Sequence, residues 1–172
     1  GFRDPAEHDA ILAERWRSRV RQSDTVVVLG DLSLVNSAAQ VGGVVDWFAA
    51  LPGIKHLVSG NHDPVHPMHR QAHLFPQIYL REFASVASAA TRRLGGHRVL
   101  LSHFPYTGDH TPTDRYQQWR LPDLGLPLLH GHVHSASIGS GNQIHVGLDA
   151  WGLAPVSDEQ VLDVMRTNGV IS

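Results

Sequence analysis

The chain has 172 residues, 42% of them hydrophobic, which suits one domain with a real core. Lys and Arg number 14 against 16 Asp and Glu, and the formal net charge of -2 excludes wholesale electrostatic attraction to nucleic acid or to an anionic membrane. The absence of cysteine excludes disulfides and thiolate metal sites, and directs any metal toward imidazole, carboxylate and amide ligands. No apolar run has the length of a membrane span and no signal segment is visible, so a cytoplasmic protein is expected.

Asp4-Pro5-Ala6-Glu7 predicts a helix start, with Asp4 as cap, Pro5 at the first helical position and Glu7 in the first turn. That helix runs to Arg21, and Leu12, Trp16 and Val20, four residues apart, form its buried face. Val26-Val27-Val28-Leu29 predicts a strand that ends at Gly30-Asp31. Asn36 is the expected cap of a second helix, with Val41, Val44, Val45 and Phe48 facing inward until Leu51-Pro52-Gly53 ends it. Ile54 to Val58 predicts the next strand, which ends at Gly60-Asn61-His62-Asp63. Helix and strand alternate, which implies parallel strands joined by crossovers.

His66, His69 and His73 are spaced three and four apart, as on one helical face, and the expectation is that this face is solvated. Glu82 to Thr91 is small and tolerant of extended backbone, and Gly95-Gly96 separates it from His97 to Ser102, a hairpin signal. From Phe104 to Pro122 the chain predicts a long loop, a length more often functional than idle in a compact domain. Its Tyr106, Asp109, Arg115, Tyr116 and Arg120 are candidate substrate contacts, Tyr106 and Arg115 first, since an arginine fork suits phosphate. Leu126 to Leu129 predicts a strand ending at Gly131-His132-Val133-His134, and Gln143 to Leu148 another. Ser157-Asp158-Glu159-Gln160 is a capping box that opens a last helix ending near Gly169.

Four polar clusters therefore stand at strand tips, where α/β proteins place their chemistry: Gly30-Asp31, Gly60-Asn61-His62-Asp63, Ser102-His103 and Gly131-His132-Val133-His134. Most of the chain's 13 histidines lie in or near them. Asp31 offers two carboxylate oxygens, as a ligand shared by two metals requires. Asn61 offers a neutral amide oxygen. His132 and His134 differ by two positions, so on extended backbone their imidazoles point the same way. His130 sits inside the apolar run and reads as a packed histidine, or as one that supports a metal ligand from behind.

These residues resemble the calcineurin-like metallophosphoesterases, whose pattern is D-x-H, G-D, G-N-H-[DE], a lone His and G-H-x-H. Four of the five elements are present in order, and the likeness runs from about Phe2 to Val164. It includes Ser102-His103-Phe104-Pro105 and Val146-Gly147-Leu148-Asp149-Ala150-Trp151, which look like the small bacterial and phage members. No Asp-x-His triplet occurs in the chain, so the resemblance places it on a strand upstream of Gly1.

The resemblance implies a single domain over residues 1–172 that lacks its first strand. Its fold class would be α/β, a sandwich of two face-to-face mixed β-sheets flanked by helices. It implies two divalent metals of the Mn, Fe or Zn class. Asp31 would bridge them, Asn61, His103 and His132 would hold the second, and His134 would join Asp31 on the first. His62 would donate to the scissile phosphate or protonate the leaving group, with Asp63 as its orienting partner; an imidazole suits proton transfer near neutral pH. The implied reaction is phosphoester hydrolysis by in-line attack of a metal-bridging hydroxide, with a phosphodiesterase expected first. The charge balance favours a small-molecule or nucleotide phosphoester over long nucleic acid, with no membrane partner. Two alternatives stay open: a catalytically impaired member serving as a binding or scaffold module, and a nuclease or nucleic-acid end-processing enzyme.

Overall fold

Asp4 begins the first helix by accepting a hydrogen bond from Glu7 N at 2.9 Å, and in the computed structural model, which describes residues 2–172, α1 (Pro5–Arg19) follows directly. Strand β1 (Thr25–Val28) comes next, then α2 (Ala38–Ala49) and β2 (Ile54–Val58). The cap of α2 is Ser37 and not Asn36, because the Ser37 hydroxyl is the oxygen that reaches Gln40 N. No helix joins His66, His69 and His73. That stretch is a run of tight turns closed by bonds such as His69 N to His66 O, with a single 3-10 turn at Ala72–Leu74 before the short α3 (Pro76–Tyr79).

Strand β3 (Ser85–Ala87) pairs parallel with β2, and β2 pairs parallel with β1. The expected hairpin forms between β4 (Ala89–Leu94) and β5 (His97–Ser102), which pair antiparallel around Gly95-Gly96. β6 (Leu128–His130) and β7 (Gln143–His145) extend that second sheet in parallel, in the order β4-β5-β6-β7. The second sheet is thus mixed, whereas the first, in the order β1-β2-β3, is parallel throughout rather than mixed. β7 ends earlier than the expected Leu148: the His145 carbonyl is taken by the Trp151 indole N–H, and a 3-10 turn follows at Leu148–Ala150. The capping box at Ser157 forms with both of its bonds and opens α4 (Asp158–Thr167).

Alternation along β1 sorts the core into two clusters. Val26 and Val28 pack with Trp16, Val41, Val45, Phe48 and Phe83 on the side of α1 and α2. Val27 and Leu29 pack with Val58, Leu101, Leu129 and Ile144 between the sheets, where α4 adds Val161 and Met165. The protein is a mixed α/β fold of two sheets flanked by helices. No helix among the described residues is long and apolar enough to cross a membrane. The arrangement brings the ends of β1, β2, β5 and β6 to one place, and the polar clusters follow immediately after those ends.

Candidate metal centre

The β1 and β2 tips meet so closely that neither Gly30 nor Gly60 has room for a side chain. A Cβ on Gly60 would fall against Asp31 Oδ1 and within 2.6 Å of His103 Nδ1, and one on Gly30 would fall within 2.7 Å of Gly60 Cα. Asp63 locks the two tips together. Its buried carboxylate accepts from Asp31 N at 2.8 Å, Leu32 N at 3.0 Å and Gly60 N at 2.8 Å. Burial pushes the Asp63 pKa up, and those N–H groups offset the rise in part. Among the described residues no hydrogen bond joins Asp63 to the His62 ring, so the expected orienting role gives way to holding the loop backbone.

His103 stands at the centre of the site. Its Nδ1 lies 2.7 Å from the Leu29 carbonyl, which can only accept, so Nδ1 carries a proton, and whenever the ring is neutral Nε2 presents a lone pair. Around Nε2 stand Asn61 Oδ1 at 3.1 Å, His132 Nδ1 at 3.2 Å and Asp31 Oδ2 at 3.3 Å. With both imidazoles neutral and their protons on the far nitrogens, four acceptor atoms from four strand tips face one another in a buried space. Such crowding is costly unless positive charge lies between them. Ligands about 2.0–2.2 Å from one cation lie about 2.8–3.6 Å apart in octahedral or tetrahedral geometry, so the donor set fits a divalent metal. Ligand atoms of Asp31, His103 and His132 all lie within 4.8 Å of one another.

The electrostatics match. Burial raises the Asp31 pKa, but hydrogen bonding and charge from His103 and the N–H of His62 more than offset it, leaving Asp31 below the usual carboxylate range. Burial, then the His103 charge, lowers His132 to about 4, so at neutral pH it is the uncharged form that binds metals.

Backbone strain also gathers here. Asp31, His132 and His134 have φ of 55°, 64° and 45°, left-handed conformations that residues other than glycine seldom adopt. This corrects the extended-segment parity expected for His132 and His134: β6 ends at His130, and the segment beyond it coils. His132 is buried at the centre, while the His134 side chain is 62% exposed, with Nδ1 3.3 Å from Asp149 Oδ2. The structure therefore brings together Asp31, Asn61, His103 and His132 and leaves His134 outside that cluster. His62 is also exposed, and its main-chain N–H donates to Asp31 Oδ1 at 2.8 Å.

The loop residues divide. Tyr106, an expected substrate contact, is buried and donates its hydroxyl to the Leu126 carbonyl at 3.0 Å, so it anchors the loop instead. Arg115 grips Asp109 through Nε at 3.1 Å and Nη2 at 3.0 Å rather than pointing a free fork at substrate. Asp109 has no exposed side-chain surface. Burial raises its pKa, but Arg115 and His132 hold it well below the carboxylate range. His66, expected on a solvated face, is instead buried between Phe104 and Trp119, with ring centroids 5.8 and 5.3 Å away. His130 packs as expected, stacked on His145 at 5.5 Å. Asp109 and Asp149 beside their histidines are the polar partners that spacing alone misses, because loops bring them in from 23 and 15 residues away.

No family model matches the chain. It is 47% identical over 174 residues to the Gene 66 protein of Mycobacterium phage L5, covering 95% of this chain and 83% of that protein. It is 46% identical over 170 residues to the Gene 66 protein of Mycobacterium phage D29, covering 92% and 85%. The solved structure of a protein of unknown function from Aquifex aeolicus matches with a TM-score of 0.67 at 23% identity, over 95% of this chain and 86% of that one. At that identity the likeness concerns the fold alone.

Proposed function

The chain belongs to the family of the mycobacteriophage Gene 66 proteins, and we propose that it is a divalent-metal-dependent phosphoester hydrolase built on the calcineurin-like metallophosphoesterase sandwich, preferring phosphodiesters to phosphomonoesters. The observation that carries this reading is the convergence of Asn61 Oδ1, His132 Nδ1 and Asp31 Oδ2 on His103 Nε2 at 3.1 to 3.3 Å. A proton can satisfy one or two such acceptors; a metal ion satisfies all four.

Asn61, His103 and His132 would hold one cation in this reading, with Asp31 Oδ2 beside them and Asp31 Oδ1 accepting from His62 N–H. Bound cations of the Mn, Fe or Zn class neutralise charge on phosphoryl oxygens and bring the pKa of a coordinated water toward about 7. His62 supplies the proton that the leaving oxygen needs: its ring is exposed, while its main-chain N–H stays bonded to Asp31. An alkoxide leaving group needs that proton to depart. His110 and His134, their ring centroids 5.3 Å apart beside His132, line the same exposed side.

A neighbouring cation beside Asp31 would draw on His134 only if that side chain left Asp149 and turned inward. The free edge of β1 borders a cavity of 1870 Å3 that runs from Val26 and Val28 to Asp31, His132 and His134.

The test is metal analysis of the purified protein, followed by hydrolysis of bis(4-nitrophenyl) phosphate and 4-nitrophenyl phosphate in Mn2+, Fe2+ and Zn2+. Metal-dependent turnover, faster on the diester, is expected. Bound metal without turnover of either substrate would support a binding module, and failure to bind any divalent metal would overturn the reading.

A further inference from the structure

Two imidazoles meet at the centre of the site, and each must present a lone pair to a shared cation. A neutral imidazole does so only if its other nitrogen holds the proton, and the partner of that other nitrogen decides the matter. For His103 the partner is the Leu29 carbonyl. For His132 the other nitrogen is Nε2, a buried atom with no formed hydrogen bond. The carboxylate of Asp109 faces it, with Oδ2 3.4 Å away, too long for a well-made bond but close enough to set which nitrogen is protonated.

Asp109 is itself over-determined. Arg115 Nε and Nη2 grip both of its oxygens, and Arg120, whose side chain is 4% exposed, stands 4.0 Å from Oδ2. One residue on, His110 Nδ1 lies 3.2 Å from the main-chain carbonyl of His132. The loop from Phe104 to Pro122 thus engages His132 at both ring and backbone. His132 needs such support, since its φ of 64° is strained.

We propose that Asp109 is the positioning residue for His132: its carboxylate, fixed by Arg115, draws the imidazole proton to Nε2 and so leaves Nδ1 aimed at the cation shared with Asp31, Asn61 and His103. The inference rests on the metal site proposed above. Asp109, His110 and His132 could by themselves be taken for a second metal cluster. The double grip of Arg115 argues against that, because it occupies the carboxylate with a cation already.

The experiment reads two quantities in the full chain: the His132 tautomer in the metal-free protein, from imidazole 15N shifts, and the Mn2+ dissociation constant, from calorimetry. Wild type should show the proton on Nε2. In Asp109→Asn the amide can donate to Nε2, which should move the proton to Nδ1 and weaken Mn2+ binding by about 10–100-fold, with Asp109→Glu restoring part of the loss. A wild-type tautomer with the proton on Nδ1 overturns the proposal even if the variants fail to fold. So does an Asp109→Asn protein that keeps the wild-type tautomer and binds Mn2+ within about twofold of wild type. If wild type binds no metal, the proposed function fails, and the tautomer measurement still decides the role of Asp109.

Discussion

Asn61 Oδ1 lies 3.1 Å from His103 Nε2, and with that imidazole neutral and its proton on Nδ1 the contact sets an acceptor against an acceptor. In the metal-free state this contact opposes folding, so Asn61→Leu, similar in shape, should leave that state at least as stable as wild type, with a gain of up to about 1 kcal/mol. The rise in Tm that Mn2+ gives the wild type should vanish. Thermal unfolding with and without Mn2+ measures both; a loss above about 2 kcal/mol in the metal-free variant would mean that Asn61 makes a favourable bond here.

His62→Ala should cut turnover of a diester with an alkyl leaving group by about 100-fold or more, while turnover of bis(4-nitrophenyl) phosphate, whose phenolate departs unprotonated, falls far less and metal content stays unchanged. The link from His62 to the site is its main-chain N–H on Asp31 Oδ1, which alanine keeps. Metal lost along with activity would refute a role confined to proton transfer.

Gly60→Ala should both destabilise the protein and empty the site. The new methyl would fall against Asp31 Oδ1 and 2.6 Å from His103 Nδ1, displacing two ligands at once. Overpacking of this kind costs about 1–3 kcal/mol, and the Mn2+ dissociation constant should rise in parallel. Wild-type affinity in a folded Gly60→Ala protein would show that the β1 and β2 tips can separate without harm.

His66 should make stability fall on mild acidification. Burial, then the charges of His103 and His69, lowers its pKa to about 4 in the folded protein, against about 6.5 unfolded. The unfolded state then binds the proton first, so the contribution is intact above pH 6.5 and is lost as pH falls toward 4, up to about 3 kcal/mol in all. Denaturant midpoints at pH 7.5, 5.5 and 4.5 should fall less steeply in His66→Gln than in wild type. Equal slopes would place the acid sensitivity elsewhere.

Local chemistry wrote much of this protein in a form that can be read directly. Asp4 and Ser157 declare their helices because capping involves residues within one turn, and Gly95-Gly96 declares a hairpin for the same reason. Asp31, Asn61, His103 and His132 were legible as one set because each follows an apolar strand and their types suit one chemistry.

Only the tertiary structure decided what each group does once there. Asp63 stands beside His62 in sequence yet binds the backbone of Asp31, Leu32 and Gly60, because the β1 and β2 tips pack together. His134 matches His132 in the motif but turns outward to Asp149, because left-handed backbone replaces the extended segment that parity assumes. Asp109 reads from the sequence only as a candidate substrate contact, with no local sign of His132, because a loop fold carries it there. The sequence by itself determined which imidazole, carboxylate and amide groups the chain owns and that they follow strand ends. Contacts between residues far apart in the chain, which no local pattern encodes, decided which atoms of those groups face one another and which partner stands beside each.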